Sequence, residues 1–439
     1  MLTLILVTLL SASDEPSTAA LVERLAASSE TRFQAFDQLL VQGFKSLPQL
    51  RKTRDESSAE MRKIVSEAIQ EIGNSRLLRG TKVKIECADL PTVDAIDQLA
   101  RSSGFAFELP PIVDASWQMA RLTIREPREL GFFEALDRLG EKAGFRASLR
   151  IDSAYPIPLG PSIRLVRTAD PPPPVSYAGP YRLTFLSLNR HRVVTQLKPP
   201  ANAGVSEELS ARLEIVAEPG IVIQPHGTVR IREAVDQLGH DLRMGTSASS
   251  GAAENPSLVG TPDQLSRFDI KIPLNPQENG GQTLTRLRGF VPIVAMTRID
   301  ELFDAELSKS VGKTLSGGGT TLTIQNLNRD NLTTSMDIRI RTEKRNAPSA
   351  IDSGPRQATQ YSTNLGTNLL DHVRVEDALG RPLPVSCHPT MPAATDGTLS
   401  YRLQIHSLAT SSVPARLRYY GVAVVATEIP FDFRGLTLP

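Results

Sequence analysis

The nearest approach to a phosphate-binding motif in this chain of 439 residues is Val311-Gly312-Lys313-Thr314. A loop of that kind cradles phosphates on backbone N–H groups, and it needs a glycine five positions before Gly312 and a helix after Thr314. Position 307 is Leu307, and Ser316 and three glycines follow. The pattern therefore predicts a turn entering a strand. Six histidines could ligate a metal or move protons: His191, His226, His240, His372, His388 and His406. None stands at ligand spacing from another His, Cys or Glu. Cys387 and His388 are adjacent, and neighbours on a strand point to opposite faces. Asp300, Glu301, Asp304 and Glu306 form an acidic run without the register of a calcium loop, so a solvated strand edge or turn is expected there. No serine lies in a Gly-x-Ser-x-Gly elbow, and a triad assembled across the fold is recognised only by geometry. Asn331-Leu332-Thr333 fits a glycosylation sequon, a short match that arises often by chance. The sequence thus assigns no catalytic residue, no metal ligand and no cofactor.

The elements that would have to position such residues follow from composition and pattern. Apolar residues make up 40% and charged residues 22%, enough for globular domains, and the net charge of +1 gives no field to attract nucleic acid or an anionic membrane. Leu2 to Leu10 is almost wholly apolar but shorter than the roughly 20 residues a membrane span needs. Small residues at Ser11 and Ser13 suit a cleavage site, so residues 1–13 read as a signal peptide and the protein as exported, periplasmic or in the cell envelope. A buried N-terminal helix is the other reading. No transmembrane segment is expected after cleavage, and no Cys follows the run to take a lipid. Cys87 and Cys387 fall in different predicted domains; buried strand cysteines are expected, although an exported protein permits a disulfide.

Residues 14–76 read as helical. Leu21, Leu25, Phe33, Phe36, Leu39 and Leu40 fall at helical spacing, Gly43 and Pro48 interrupt it, and Met61, Ile64, Val65, Ala68, Ile69 and Ile72 resume it. Residues 80–169 repeat one pattern twice. Val83-Lys84-Ile85-Glu86-Cys87 leads to Asp94-Ala95-Ile96-Asp97-Gln98-Leu99, Gly104 and Phe105; Leu122-Thr123-Ile124 leads to Glu134-Ala135-Leu136-Asp137-Arg138-Leu139, Gly144 and Phe145. Each half predicts strand, helix ending at a glycine, then strand, with the helices on one face of a sheet and a last strand at Ile163 to Arg167. Pro171 to Pro174 open a stiff linker, 170–177, for which a proline-capped strand edge is the alternative.

From about Tyr181 the period becomes two. Four landmarks recur in one order. Leu183-Thr184-Phe185 with Leu188-Asn189-Arg190 returns as Leu322-Thr323-Ile324 with Leu327-Asn328-Arg329. Leu213 to Glu218 returns as Ile338 to Glu343. Asp236-Gln237-Leu238-Gly239 returns as Asp377-Ala378-Leu379-Gly380, and Arg286-Leu287-Arg288 as Arg416-Leu417-Arg418. Asp236 and Asp377 open turns that Gly239 and Gly380 close with positive φ. Two related antiparallel β-sandwiches are expected, 178–308 and 309–439, the second a duplicate of the first. Tyr419, Tyr420, Phe431 and Phe433 read as core or interdomain packing. The fold class is thus multidomain α+β.

The repeated pattern at 80–169 resembles the short N-terminal domain of secretins and TonB-linked receptors. Leu25, Arg32, Ala35, Leu39, Gly43, Pro48, Arg62, Val65 and Ala68 resemble a HEAT-type helical unit, an order that an ordinary helical hairpin fits equally. The whole arrangement resembles uncharacterised exported multidomain proteins of planctomycete-type bacteria. Export, the modular build, the internal duplication and the absence of a catalytic motif point to a non-enzymatic envelope or periplasmic interaction protein with protein partners. An accessory docking protein of a secretin-type or TonB-linked system is a second expectation, and a ligand-binding or hydrolytic sandwich using His226, His240 or Asp300 a third.

Overall fold

The computed structural model describes residues 16–27, 29–109, 120–150, 162–168, 171–195, 204–244, 266–277, 281–317, 319–330, 333–342, 369, 372–383, 385–391, 398–406 and 413–437. The expected signal peptide, the Ser/Gly/Asn-rich stretches 245–262 and 345–366, Trp117, Glu343 and the first two sequon residues lie outside that set. The architecture is mixed α+β, a helical region followed by regions rich in β-sheet. It forms two compact units, residues 1–75 and 76–439.

The first unit contains α1 (Thr18–Leu25), α2 (Ser29–Gln42), a 3-10 turn (Gly43–Ser46), α3 (Leu47–Glu56) and most of α4 (Ala59–Arg79). Gly43 takes φ +57° where α2 ends. Pro48 sits in the first turn of α3, where its missing N–H costs nothing. Leu21, Leu25, Leu39, Leu50, Val65 and Ile69 are buried. Helix α4 runs on past Ile72, where the apolar pattern stopped, because Leu77 continues it as a buried residue.

In the second unit come β1 (Lys82–Val83), β2 (Glu86–Pro91), α5 (Thr92–Ser103), β3 (Phe107–Glu108), β4 (Arg121–Arg125), β5 (Leu130–Gly131), α6 (Phe132–Ala143), β6 (Phe145–Arg150) and β7 (Ser162–Arg167). Helices α5 and α6 end on Gly104 and Gly144 at φ +76° and +71°, a conformation open to glycine. The strands do not form the single sheet expected. They make two pairs, β1-β5 and β2-β4, and a three-stranded sheet, β3-β7-β6. Strands of two residues are too short to extend a common ladder. One core still gathers Ile96 and Leu99 of α5, Phe132, Leu136 and Leu139 of α6, and residues from all three sheets. That core also takes in Val216, from the strand region that follows.

The remaining strands are β8 (Val175–Ala178), β9 (Tyr181–Thr195), β10 (Gly204–Ala217), β11 (Ile221–Pro225), β12 (Arg230–Asp236), β13 (Arg267–Leu274), β14 (Thr283–Glu306), β15 (Thr314–Gly317), β16 (Thr320–Asp330), β17 (Thr333–Thr342), β18 (Val373–Asp377), β19 (Pro382–Leu383), β20 (Val385–Met391), β21 (Thr398–His406) and β22 (Pro414–Thr437), with one helical turn, α7 (Leu307–Ser310), after β14. One sheet has the order β13-β10-β9-β8, another β15-β16-β17-β21-β20. The third, β11-β14-β22-β18-β19, also carries β12 on β14. Strand β8 starts inside the stretch expected as a linker, and the carbonyl of Pro174 accepts from the Phe185 N–H at 2.9 Å. The prolines therefore lead into the edge of a sheet.

Strands β14 and β22 pair antiparallel from Thr283 with Thr437 to Glu306 with Arg416. Pro292 falls where the outer neighbour of β14 changes from β12 to β11, a place where a proline interrupts neither ladder. The ends of this ribbon serve different cores. Phe433 lies 6.0 Å from Phe185 of β9, while Phe303 stacks on Tyr419 at 4.9 Å in a core shared with β16, β17 and β21. Tyr419, Phe431 and Phe433 are buried. The acidic run of β14 lies beyond the last residue paired with β11, where among the described residues only β22 is paired with it, so the expected strand edge is found: Asp304 and Glu306 are exposed, Glu301 pairs with Arg418 at 3.3 Å and Asp304 with Arg416 at 3.2 Å.

Two irregularities occur at matching points. The β9–β10 ladder shifts register between Arg212 and Leu213, and the β16–β17 ladder between Ile324 and Asn326, so Leu186 and Gln325 are skipped. The β12–β14 ladder shifts between Val235 and Asp236, the β18–β22 ladder between Glu376 and Asp377. Leu417, fully buried in β22, should test the shared ribbon. Leu417→Ala is expected to cost about 2–5 kcal/mol, read as a lower urea midpoint at unchanged slope; an unchanged midpoint would place that strand outside the core.

Candidate functional site

Buried ionisable groups are where chemistry is normally found. Among the described residues the buried carboxylates are Glu218, Asp236, Glu376 and Asp377. Asp236 ends β12. Its Oδ1 accepts from the N–H of Leu238 at 2.9 Å and of His240 at 2.8 Å; its Oδ2 accepts from the Gly281 N–H at 2.8 Å and meets the His240 Nδ1 at 2.9 Å. Burial pushes this carboxyl up, but the N–H donors of Gly281, His240 and Leu238 outweigh it and hold the group at about 2. Gly239 turns the chain at φ +85°, and its N–H closes the turn on the Asp236 carbonyl at 3.2 Å.

Asp377 ends β18 and does the same. Its Oδ1 accepts from the Leu379 and Arg381 N–H groups, both at 2.9 Å, and its Oδ2 from the Arg381 Nε at 2.7 Å. Here too burial raises the carboxyl and its donors, led by the Arg381 guanidinium, bring it below the ordinary aspartate range. Gly380 takes φ +76°. In place of His240 stands Arg381.

Glu218 follows β10. Its Oε1 accepts from the Thr81 N–H at 2.9 Å, and its Oε2 accepts from the Thr81 hydroxyl at 2.7 Å. Arg76 donates to the Pro219 carbonyl at 2.8 Å, and the Tyr181 hydroxyl donates to the Leu77 carbonyl at 2.7 Å. The chains are too close here for side chains. A Cβ on Gly80 would stand 2.7 Å from the Pro180 nitrogen, and one on Gly179 2.4 Å from the Leu78 carbonyl oxygen. Burial pushes the Glu218 carboxyl up to about 7, against the pull of the Thr81 hydrogen bonds and the Arg76 and Lys82 charges.

Nearby, Arg182 reaches Asp137 of α6 at 2.8 Å and lies 5.2 Å over the Phe133 ring, and the Tyr177 hydroxyl donates to the same Asp137 at 2.9 Å. Glu376 meets the Nε of Arg374 at 2.8 Å and of Arg418 at 3.2 Å. These contacts pin the chain to itself. Chemically, Glu218, Asp236 and Asp377 act as acceptors for N–H, hydroxyl and guanidinium groups of their own fold, while Glu376 contacts its arginines as ion pairs and its buried Oε2 accepts no hydrogen bond.

The residues that sequence pattern singles out stay apart. Lys313 lies in a turn before β15, with Gly312 at φ +77° and its N–H on the Ile324 carbonyl at 2.7 Å. His372 is half-buried, stacks on Tyr419 and donates its Nδ1–H to the Tyr420 carbonyl at 2.9 Å; desolvation lowers its pKa. His226 binds the Pro292 carbonyl through its backbone N–H at 2.9 Å, and His191 and His388 are exposed. Asp300 pairs through its backbone with Gly421, and its side chain lies outside the description. No group of three His, Cys, Asp or Glu side chains fit to hold a metal occurs among the described residues. Cys87 and Cys387 are both thiols; Cys87 is buried in β2, where burial raises its pKa, and Cys387 is half-buried in β20. Glu218 escapes the sequence because its partner Thr81 is 137 residues away. The one available signal is an acid ending an apolar strand before Pro219-Gly220.

No family model matches the chain, and no curated protein matches it. Among solved structures it is similar to a conserved domain protein from Bacillus anthracis, at 7% identity over 59% of this chain and 89% of that one, with a TM-score of 0.18. That likeness is too slight to carry an argument.

Two outcomes follow from the buried acids. A carboxyl raised in the folded state favours the protonated form there. Stability from Glu218 is therefore full below about pH 4.5 and lost as pH rises through about 7. Glu218→Gln should flatten that slope, worth at most about 3 kcal/mol, in thermal melts from pH 5 to 8; an unaltered slope would remove Glu218 as its source. Asp236→Ala strands three N–H groups and is expected to cost on the order of 3 kcal/mol, measured by urea unfolding at pH 7. A loss under about 0.5 kcal/mol would mean the turn does not need its carboxylate.

Proposed function

We propose that this chain is a non-enzymatic, exported interaction scaffold of the cell envelope, whose β region is one antiparallel sandwich unit present twice. The observation that carries the reading is the use of its buried carboxylates. Glu218, Asp236 and Asp377 hold loops and turns in place, and Glu376 ties two arginines on neighbouring strands. In Glu218, Asp236 and Asp377, groups of the kind an enzyme would set aside for substrate are committed to rigidity.

Duplication is supported by the common strand order, β8-β9-β10-β13 beside β15-β16-β17-β21. The matching bulges and the twin aspartate turns support it further. Export rests on the apolar run at Leu2 to Leu10 with small residues after it. Among the described residues no helix is long and apolar enough to cross a membrane.

Partners would join by pairing with sheet edges, where main-chain groups supply affinity and alternate side chains supply specificity. Strand β13 suits this: it ends its sheet, buries Phe268, Ile270, Ile272 and Leu274, and turns Arg267 and Lys271 outward. The Glu218–Thr81 and Arg182–Asp137 contacts, with Val216 in the α/β core, favour one rigid body over a detachable docking module. The test is tagged full-length protein recovered from its own cells and analysed by mass spectrometry. A small, reproducible set of partner proteins is the expected result; repeated recovery of none would overturn the reading.

A further inference from the structure

The helical unit carries an apolar face that its own core does not use. Helix α2 buries Ala35 and Leu39. Phe33, Phe36 and Leu40 form a second stripe at helical spacing, with Phe33 68% exposed and the other two half-buried. A helix apolar on two sides is covered on both when its surroundings are complete. The second stripe is one wall of an open groove whose other wall is α4, and every residue lining it belongs to the first unit.

The groove is also acidic. Asp37 stands beside the stripe, and Glu67, Gln70 and Glu71 of α4 line the opposite wall. Among the described residues this lining holds three carboxylates and no cation. Lys63 reaches Glu67 at 4.0 Å from outside the groove, with both side chains in water, and Asn74 donates to Glu71 at 3.2 Å. Asp37 and Glu71 form no ion pair among the described residues. Lys45, Arg51, Lys52 and Arg54 stand instead on the 3-10 turn and α3.

Geometry and charge narrow the occupant. A small molecule is held where most of its surface is enclosed; here one wall stands largely in water, so the occupant needs a wet side of its own. An extended peptide would lay unpaired N–H and C=O groups on helices whose backbone groups are already bonded. A helix brings its own hydrogen bonds and an apolar stripe at matching spacing. Its flanks must be basic, because an acidic helix would set like charges against Asp37, Glu67 and Glu71. A second copy of this chain does not offer its basic α3, since Leu47 and Leu50 of that helix are buried.

We infer that the groove between α2 and α4 receives an amphipathic helix of a partner protein, its apolar stripe set against Phe33, Phe36 and Leu40 and its lysines or arginines against Asp37, Glu67 and Glu71. This surface goes beyond the sheet-edge pairing proposed above and does not depend on it.

The test uses the full-length protein and three fluorescent synthetic peptides of about 18 residues, followed by anisotropy. One holds leucine and lysine with the leucines in a single helical stripe, one the same residues in an order that forms no stripe, and one leucine and glutamate in the striped order. The striped Leu/Lys peptide is expected to bind saturably and about ten-fold more tightly than either of the others. Phe33→Ser should weaken it about ten-fold. Asp37→Lys with Glu71→Lys should reverse the preference, so that the Leu/Glu peptide binds more tightly. All three positions are exposed, so the thermal midpoint should stay unchanged, which separates lost binding from lost folding; if the double variant melts lower, Phe33→Ser and the striped-against-unstriped comparison decide. Equal binding of the three peptides, a preference that survives charge reversal in a folded variant, or binding unmoved by Phe33→Ser would overturn the inference. So would sedimentation showing a dimer of the native chain that Phe33→Ser dissolves, which would put a second copy in the groove. Failure here leaves recovery of partners by the tagged chain untouched, so the two readings fail separately.

Discussion

Backbone pairing between β14 and β22 is the constraint on which the rest of the second unit depends. From Thr283 to Glu306 on β14 and from Arg416 to Thr437 on β22, the N–H and C=O groups that each strand turns toward the other, which could not be buried alone, are paired across the ribbon. Every outer element of that sheet is then placed by register. Strands β11 and β12 sit on β14, and β18 sits on β22. A slip of one residue would turn Leu287, Phe433, Leu417 and Tyr419 from core to solvent at once. Charged pairs along the ribbon oppose such a slip: Arg286 meets Asp432 at 2.7 Å and Glu233 at 3.2 Å, and Arg416 meets Asp304. These side chains are partly exposed, so they add little stability and serve mainly to fix which residue faces which.

The same pairing makes the two halves of the β region interdependent. The end of β22 enters the core of the β8-to-β13 sheet through Phe433, and the end of β14 enters the other core through Phe303, followed there by Leu307 of α7. Each long strand thus serves a core at either end. Separating the halves between residues 308 and 309 would strip an aromatic residue from each.

What was legible in the sequence was whatever depends on near neighbours. Helices α5 and α6 announce themselves by apolar residues at helical spacing and by Gly104 and Gly144, because the residues involved lie within a turn or two of each other. The turns at Asp236 and Asp377 are readable for the same reason: the donors that fill each carboxylate include N–H groups two and four residues on. What alternation cannot give is a partner. Leu417 and Leu287 read as inward-facing strand residues, yet nothing local says that β14 lies against β22. The acidic run 300–306 was readable as a strand edge, but its arginine partners were not, because they lie more than a hundred residues away. The α/β region was expected as one sheet, because period-two runs do not reveal that β1, β3 and β5 are only two residues long. Glu218 was silent for the most physical of these reasons, a carboxylate whose environment is built wholly by residues distant in sequence.

Why bury carboxylates at turns at all, when an apolar residue would avoid the cost of removing charge from water? The answer lies in the donors. A tight turn that leaves a sheet exposes N–H groups with no ladder to join, and each one buried without a partner costs about as much as a lost hydrogen bond. One carboxylate accepts several of them: Asp236 takes those of Leu238, His240 and Gly281. The multiple donors then outweigh desolvation, and the aspartate stays ionised rather than taking up a proton. Glu218 lies at the other limit. It has fewer backbone donors and deeper burial, so desolvation prevails and its carboxyl is raised instead. The two outcomes follow from one balance, the number of N–H groups offered against the depth of burial. That balance also sets where rigidity survives a change of pH: the turn tips stay locked far below neutrality, while the clasp at Thr81 responds near it.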